Sequence, residues 1–301
     1  MATDFTEETA ADAVVESFGP STDPRLREIL TSLVRHLHAF ARDVELTIPE
    51  WEAAIDFLTR TGQECDETRQ EFILLSDVLG MSMLTETISN RKFGVATEST
   101  VLGPFHVVES PVRALGDNID SAGTGTPCVV TGRVVSVDGA PLPAARLDVW
   151  QADDKGFYDV QQPEVQGVGN GRGLFTADDA GEFWFRTIVP RYYPIPTDGP
   201  VGGLLRATGR HAFRPAHIHF LVSAPGHREL TTHMFVAGSE YIESDTVFAV
   251  KKSLVVDFAE VTDPAQAAKW GVPAPFRHAH FEIVMQPGPA PQPPPPAVRK
   301  L

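Results

Sequence analysis

In Arg214-Pro215-Ala216-His217-Ile218-His219-Phe220-Leu221-Val222, the run Ala216 to Val222 alternates as a strand does, with Ile218, Phe220 and Val222 on one face and two imidazoles on the other. Comparable β-type runs, separated by turn residues, fit Val129 to Val137, Leu147 to Ala152, Glu182 to Ile188, Leu230 to Ala237 and Phe276 to Met285. Asp138-Gly139, at the end of the first run, is a hairpin dipeptide. Short strands at this spacing predict an antiparallel β-sandwich.

Upstream of a Gly/Asp/Ser/Thr-rich stretch around Gly116 to Thr126 the period changes. Leu26, Ile29, Leu30, Leu33, Val34, Leu37 and Phe40 fall on one helical face, and Asp23-Pro24 supplies a cap followed by a first-turn proline. Thr47 and Glu50 form a capping-box pattern ahead of Trp51, Ile55 and Leu58. A third helix is predicted from near Asp66 through Phe72, Ile73, Leu75, Val78 and Leu79, where Gly80 interrupts it. The expected organisation is α+β, with a helical segment over 1–105, a sandwich over 106–285 and an extended, polyproline-like tail over 286–301.

The chain has 301 residues, 42% apolar and 22% charged, with 25 Lys+Arg against 40 Asp+Glu and a net charge of −15. This composition is globular, and no cluster of Lys and Arg offers a footprint for nucleic acid or an anionic membrane. No apolar run reaches a membrane span, and Met1 to Val15 lacks the basic and apolar regions of a secretory signal. Cys65 and Cys128, the two cysteines, make neither a disulfide framework nor a zinc knuckle, so a reducing cytoplasm is expected.

His217 and His219 project from one face of their strand and can share a metal ion, but His278 and His280 have the same spacing. Tyrosine is scarce: Tyr158, Tyr192, Tyr193 and Tyr241 are the four, and three precede the first histidine pair. Tyr158 and Tyr193 each follow a predicted strand, on loops that can reach the imidazoles; amphipathic tyrosines with a wet hydroxyl would look the same. Gly167 to Gly173 is glycine-rich, yet no helix pattern follows it, which argues against phosphate cradling.

The segments Asp148 to Tyr158, Tyr193 to Leu205 and Arg214 to Val236, with Leu102-Gly103-Pro104-Phe105, resemble the intradiol ring-cleaving dioxygenases over nearly the whole chain. The resemblance implies one Fe(III) per chain, held by Tyr158, Tyr193, His217 and His219. Tyr193 is preferred to Tyr192 by its register to Pro190 and Gly199, and His278 and His280 read as sheet residues. Two phenolates and one hydroxide neutralise a trivalent ion, and in the family the tyrosinate matching Tyr193 leaves the metal as a base when the diol binds. Arg214 matches an arginine that stabilises negative charge developing on the ring.

Two features resemble the members that cleave hydroxyquinol (benzene-1,2,4-triol) to 3-hydroxy-cis,cis-muconate, the enol form of maleylacetate. His233 stands where catechol dioxygenases carry glutamine, and Tyr193-Pro194-Ile195-Pro196-Thr197-Asp198-Gly199-Pro200-Val201-Gly202 has the matching loop pattern. By the same resemblance Asp77 accepts a hydrogen bond from the third hydroxyl, and Leu74, Val101, Phe105, Ile195, Pro196 and Val247 form apolar walls. Catechol or chlorocatechol cleavage is the alternative within the family, and a metal-free sandwich binding module is the alternative outside it. The family also implies a homodimer through the N-terminal helices with bound phospholipid between them.

Overall fold

The computed structural model describes residues 4–66, 69–91, 94–106 and 110–288, so the Pro293 to Pro296 run lies outside the described residues. The chain forms two compact units, Met1–Gln63 and Glu64–Leu301. The first holds α1 (Ala10–Ser17), α2 (Pro24–Asp43) and α3 (Ile48–Gln63). Asp23 caps α2 by accepting from the Arg25 and Leu26 amides, and Glu50 closes the start of α3 by accepting from the Thr47 amide and hydroxyl. Leu26, Ile29, Leu33, Leu37 and Phe40 on α2 remain 41% to 54% exposed.

The second unit begins with α4 (Glu71–Val78) and α5 (Met81–Ser89). The third predicted helix thus starts later than Asp66. Gly80, left-handed at φ 72°, redirects the chain into α5, which the sequence pattern did not reveal. Among the described residues no single helix is long and apolar enough to cross a membrane; only α4 and α5 together pass that test, and they are bent by 80°.

The strands are β1 (Pro127–Ser136), β2 (Arg146–Gln151), β3 (Arg172–Thr176), β4 (Glu182–Ile188), β5 (Tyr193–Pro194), β6 (Phe213–Arg214), β7 (His217–Ser223), β8 (Leu230–Val236), β9 (Val255–Val256), β10 (Ala259–Val261) and β11 (Phe276–Met285). Between them lie α6 (Pro163–Gln166), α7 (Pro200–Ala207) and α8 (Pro264–Trp270). One sheet runs β10-β11-β1-β4, the other β3-β2-β7-β8-β9, and β5 and β6 form a separate ribbon. Phe183 and Phe185 of the first sheet meet Phe175 and Phe220 of the second at ring-centroid distances of 5.2 to 6.4 Å, which places the sandwich core between them.

The expected two-sheet sandwich is present, and one detail of it differs. The sandwich is mixed, because β11 runs parallel to β1 and β9 parallel to β8. Both partners return through long connections, and no tight turn dictates their direction. Asp138-Gly139 turns the chain as the dipeptide predicts, with Val135 bridging Pro141 antiparallel and the Gly139 amide donating to the Ser136 carbonyl, before β2 joins the other sheet. The glycine-rich loop Gly167 to Gly173 runs into β3, an edge strand whose ladder to β2 and burial override its weak strand propensity.

Two buried charges tie loops to this frame. Glu71, 1% exposed, receives Arg69 on Oε2 and the Val201 amide on Oε1, which joins α4 to the start of α7. Asp159 receives the fully buried Arg172 at 2.8 Å. Cys128 is a buried thiol whose pKa burial pushes up to about 12. On β11, His278 Nε2 and His280 Nδ1 lie 2.9 and 3.1 Å from the same Thr131 hydroxyl, and His278 stacks on Trp270.

Burial, then the neighbouring His280, holds the His278 imidazole below its ordinary 6.5. Its contribution to stability is therefore fully present above 6.5 and is lost as pH falls below it, because the unfolded chain takes the proton first. Urea unfolding from about pH 7 to about pH 5 should show a steeper loss for the natural protein than for His278→Gln. Parallel pH profiles for the two would refute this.

Candidate active site

Strand register assembles the first part of the site. Trp150 on β2, His219 on β7 and His233 on β8 lie side by side in one row. Trp150 stacks on the His219 ring with centroids 4.6 Å apart and planes 12° apart. His217 lies two residues earlier on the same face of β7, while Ile218 and Phe220 fill the opposite face. Gly103, at φ 79°, backs the arrangement: a Cβ there would sit 3.2 Å from His219 Cε1.

Two loops bring in the tyrosines. Asp153 folds the segment after β2 by accepting from the Lys155 and Phe157 amides, and Gln161 accepts from the Tyr158 amide. The adjacent Asp159 to Arg172 pair then anchors Tyr158. Tyr193 opens β5, where it is the ladder partner of Arg214 on β6. Phe105 stacks on Tyr158 at 4.6 Å and meets Tyr193 edge-on.

Tyr158 Oη lies 3.0 Å from His219 Nε2 and 3.4 Å from Tyr193 Oη, and the two Nε2 atoms of His217 and His219 are 3.1 Å apart. Arg214 Nη1 is 3.3 Å from both Tyr193 Oη and His217 Nε2. Tyr158, Tyr193, Arg214, His217, His219 and His233 are all buried. Tyr192 packs elsewhere, against Phe213 and Tyr241, and His278 and His280 belong to the other sheet.

Burial, reinforced by neighbouring charge, holds His217, His219 and His233 well below the ordinary histidine pKa, so all three are neutral. Nδ1 of His217 donates to the Pro215 carbonyl at 2.7 Å, which leaves Nε2 with a lone pair facing the centre. Nδ1 of His219 is 2.7 Å from His233 Nε2, and donation there leaves the second Nε2 as an inward acceptor. Burial, then Tyr193, raises the Tyr158 pKa well above 10.0, which disfavours its phenolate. Two phenol oxygens and two imidazole nitrogens converging in this way fit a metal ion.

His217, His219 and His233 also form a cluster of possible ligand atoms within 4.8 Å of one another. His233, however, presents its near nitrogen to the outer nitrogen of His219. The residues expected to line the pocket differ in burial. Leu74 and Asp77 share one face of α4 and are half-buried; burial raises the Asp77 pKa, opposed by Ser82 and by the charge of Arg214. Val101 follows Thr100, whose amide donates to Thr231. Ile195 and Val247 are buried, and Pro196 is exposed.

Sequence reasoning missed Asp245, which pairs with Arg214, as well as Asp153, Gln161 and the backing role of Gly103. Asp245 has no spacing relation to any motif, and only the fold brings it near.

Two family models match the chain: a dioxygenase model over residues 103–287 and a catechol dioxygenase N-terminus model over residues 23–97. The chain is 51% identical to a hydroxyquinol 1,2-dioxygenase of Rhizobium sp. (strain MTP-10005), over 89% of this chain and 90% of that one. A 6-chlorohydroxyquinol 1,2-dioxygenase of Cupriavidus pinatubonensis is also 51% identical, over 86% and 94% respectively. The solved hydroxyquinol 1,2-dioxygenase of Pseudomonas putida DLL-E4 superimposes with a TM-score of 0.88 at 48% identity, covering 94% of this chain and 99% of that one. With both halves matched and the aromatic and imidazole donors gathered at one point, the chain belongs to the intradiol ring-cleavage dioxygenases.

Proposed function

We propose that this enzyme cleaves hydroxyquinol between its two adjacent hydroxylated carbons, inserting both atoms of O2, to give 3-hydroxy-cis,cis-muconate and hence maleylacetate. The observation that carries this reading is the convergence of Tyr158, Tyr193, His217 and His219 within 3.0 to 3.4 Å contacts in a buried site. The similarity to hydroxyquinol-cleaving relatives supports the choice of substrate. A non-catalytic sandwich module leaves the inward-facing lone pairs unexplained.

In this reading the four side chains hold one Fe(III), which when bound supplies a Lewis-acidic charge that draws the diol in as its dianion and makes the ring reactive toward O2. Tyr193 Oη would take a diol proton as base and become a neutral phenol, and Arg214, whose Nη1 lies 3.3 Å from that oxygen, would steady the negative charge left on the diol and its ring. Tyr158, tied down by Asp159, Gln161 and Phe105, stays in place. His233 keeps His219 in the tautomer that faces inward. Phe105, Val101, Leu74, Ile195, Pro196 and Val247 exclude water and hold the ring, and Asp77 accepts a hydrogen bond from the third hydroxyl.

The exposed apolar face of α2 supports a homodimer through the N-terminal helices, with phospholipid as a further occupant of that face. A cytoplasmic location is proposed with it, in keeping with the buried thiol of Cys128.

Asp77→Ala should lower hydroxyquinol turnover far more than catechol turnover, a discrimination of roughly 1–3 kcal/mol in kcat/KM. Equal losses on both diols would remove Asp77 from substrate recognition. Tyr158→Phe should abolish most of the activity and weaken the visible tyrosinate-to-iron absorption; an unchanged spectrum with full activity rules Tyr158 out as a ligand. Sedimentation should give a dimer, and a monomer would sink both the dimer and the interfacial lipid.

A further inference from the structure

Arg214 is buried to 3% exposure and divides its guanidinium among three tasks. Nη1 faces Tyr193 Oη and His217 Nε2 at 3.3 Å, and Nε pairs with Asp245 Oδ1 at 3.3 Å. Nη2 has no hydrogen-bond partner among the described residues, although it is shut off from solvent. An unpaired buried N–H of a cation is costly, and a fork that leaves one arm unused beside a reaction centre is suited to an anionic oxygen that arrives later.

Asp245 is itself 5% exposed and uses both carboxylate oxygens. Oδ1 accepts from Arg214 Nε and from the Val247 amide, and Oδ2 accepts from the Ala249 amide at 3.0 Å. The loop it ties contains Phe248 in a left-handed conformation at φ 60°, which the surrounding bonds must hold against its own preference. Thr246 donates its amide to the carbonyl of Phe213, the residue before Arg214, and its hydroxyl to the His211 carbonyl, so this loop is tied to β6.

We propose that Asp245 is the positioning residue that sets Arg214 and Val247 together: it grips Nε so that Nη2 is presented, unpaired, to an anionic oxygen of the bound aromatic diol, and it holds the Val247 wall by the same carboxylate. This inference rests on the reading that the site takes an aromatic diol. Arg214 remains the group that touches substrate, and Asp245 acts through it. Removing the negative charge leaves the cation beside Tyr193 unbalanced and free to turn.

The test is a double-mutant cycle on the iron-loaded protein. Turnover of hydroxyquinol and catechol by the natural protein is measured first, so a wrong substrate reading shows itself there, and the cycle is run on whichever diol is cleaved. Asp245→Asn should keep its iron, shift the visible absorption band, and lower kcat by about tenfold or more on either diol. In an Arg214→Gln background the same change should alter kcat by less than about twofold, because its route of action is gone. Natural kcat with an unshifted band in Asp245→Asn, or losses that multiply in the double variant, overturn the proposal. Should Asp245→Asn fail to fold, a crystal structure of the natural iron-loaded protein with 4-nitrocatechol decides. Nη2 on a ligand oxygen with Nε still on Asp245 supports the proposal, and Nη2 turned away or Nε released overturns it.

Discussion

Four lone pairs directed at one point, with water excluded, are the constraint on which the rest of this site depends. Neutral imidazoles and phenols packed within 3.0 to 3.4 Å of one another gain little by themselves, since only the two hydroxyl hydrogens are available to bridge them. The surroundings keep the donors in place. Pro215 and His233 occupy the outer nitrogens of the two histidines, Trp150 and Phe105 fill the ring faces, and the Tyr158 loop is pinned through Asp159 to a buried arginine. A cation entering this space would find these donors already buried and oriented, so that the ordering cost would have been met during folding.

Charge is handled the same way. Arg172 and Arg214 are both buried, and each has an aspartate beside it. Burial works against the charge on Arg214, but Asp245, Tyr193 and Tyr158 outweigh it and raise its pKa, so the guanidinium stays charged at any working pH. Such pairs add little net stability, yet removing one partner is expensive. That asymmetry makes each aspartate a fixed hinge point for its loop: Asp159 for Tyr158, Asp245 for Val247.

Much of this was legible in the chain. The alternation in His217 to Val222 marked a strand and placed both histidines on one face, because side-chain direction in a strand is local geometry. The six strands read from β-type runs all exist, with ends shifted by a residue or two. The caps at Asp23 and Thr47 were visible because capping is settled within one helical turn. The short elements α1, α5, α7, α8 and β3 were not read. Strand β3 is held by its ladder to β2, a partner far along the chain, whereas α8 has a local signal in its Asp263 cap, Pro264 and the left-handed Gly271 that a seven-residue helix leaves easy to overlook.

Sequence by itself determined the face of the strand that carries the imidazoles and, through resemblance, singled out Tyr193, which the fold puts 3.4 Å from Tyr158 while Tyr192 packs against Phe213 and Tyr241. Tertiary structure alone decided that Trp150, His219 and His233 share a row, that Tyr193 lies beside Arg214, and that Asp245 backs it. Local periodicity carries no information about register between strands or about which distant loop closes over a sheet. Those are set by the mutual fit of side chains that meet only after the chain has collapsed.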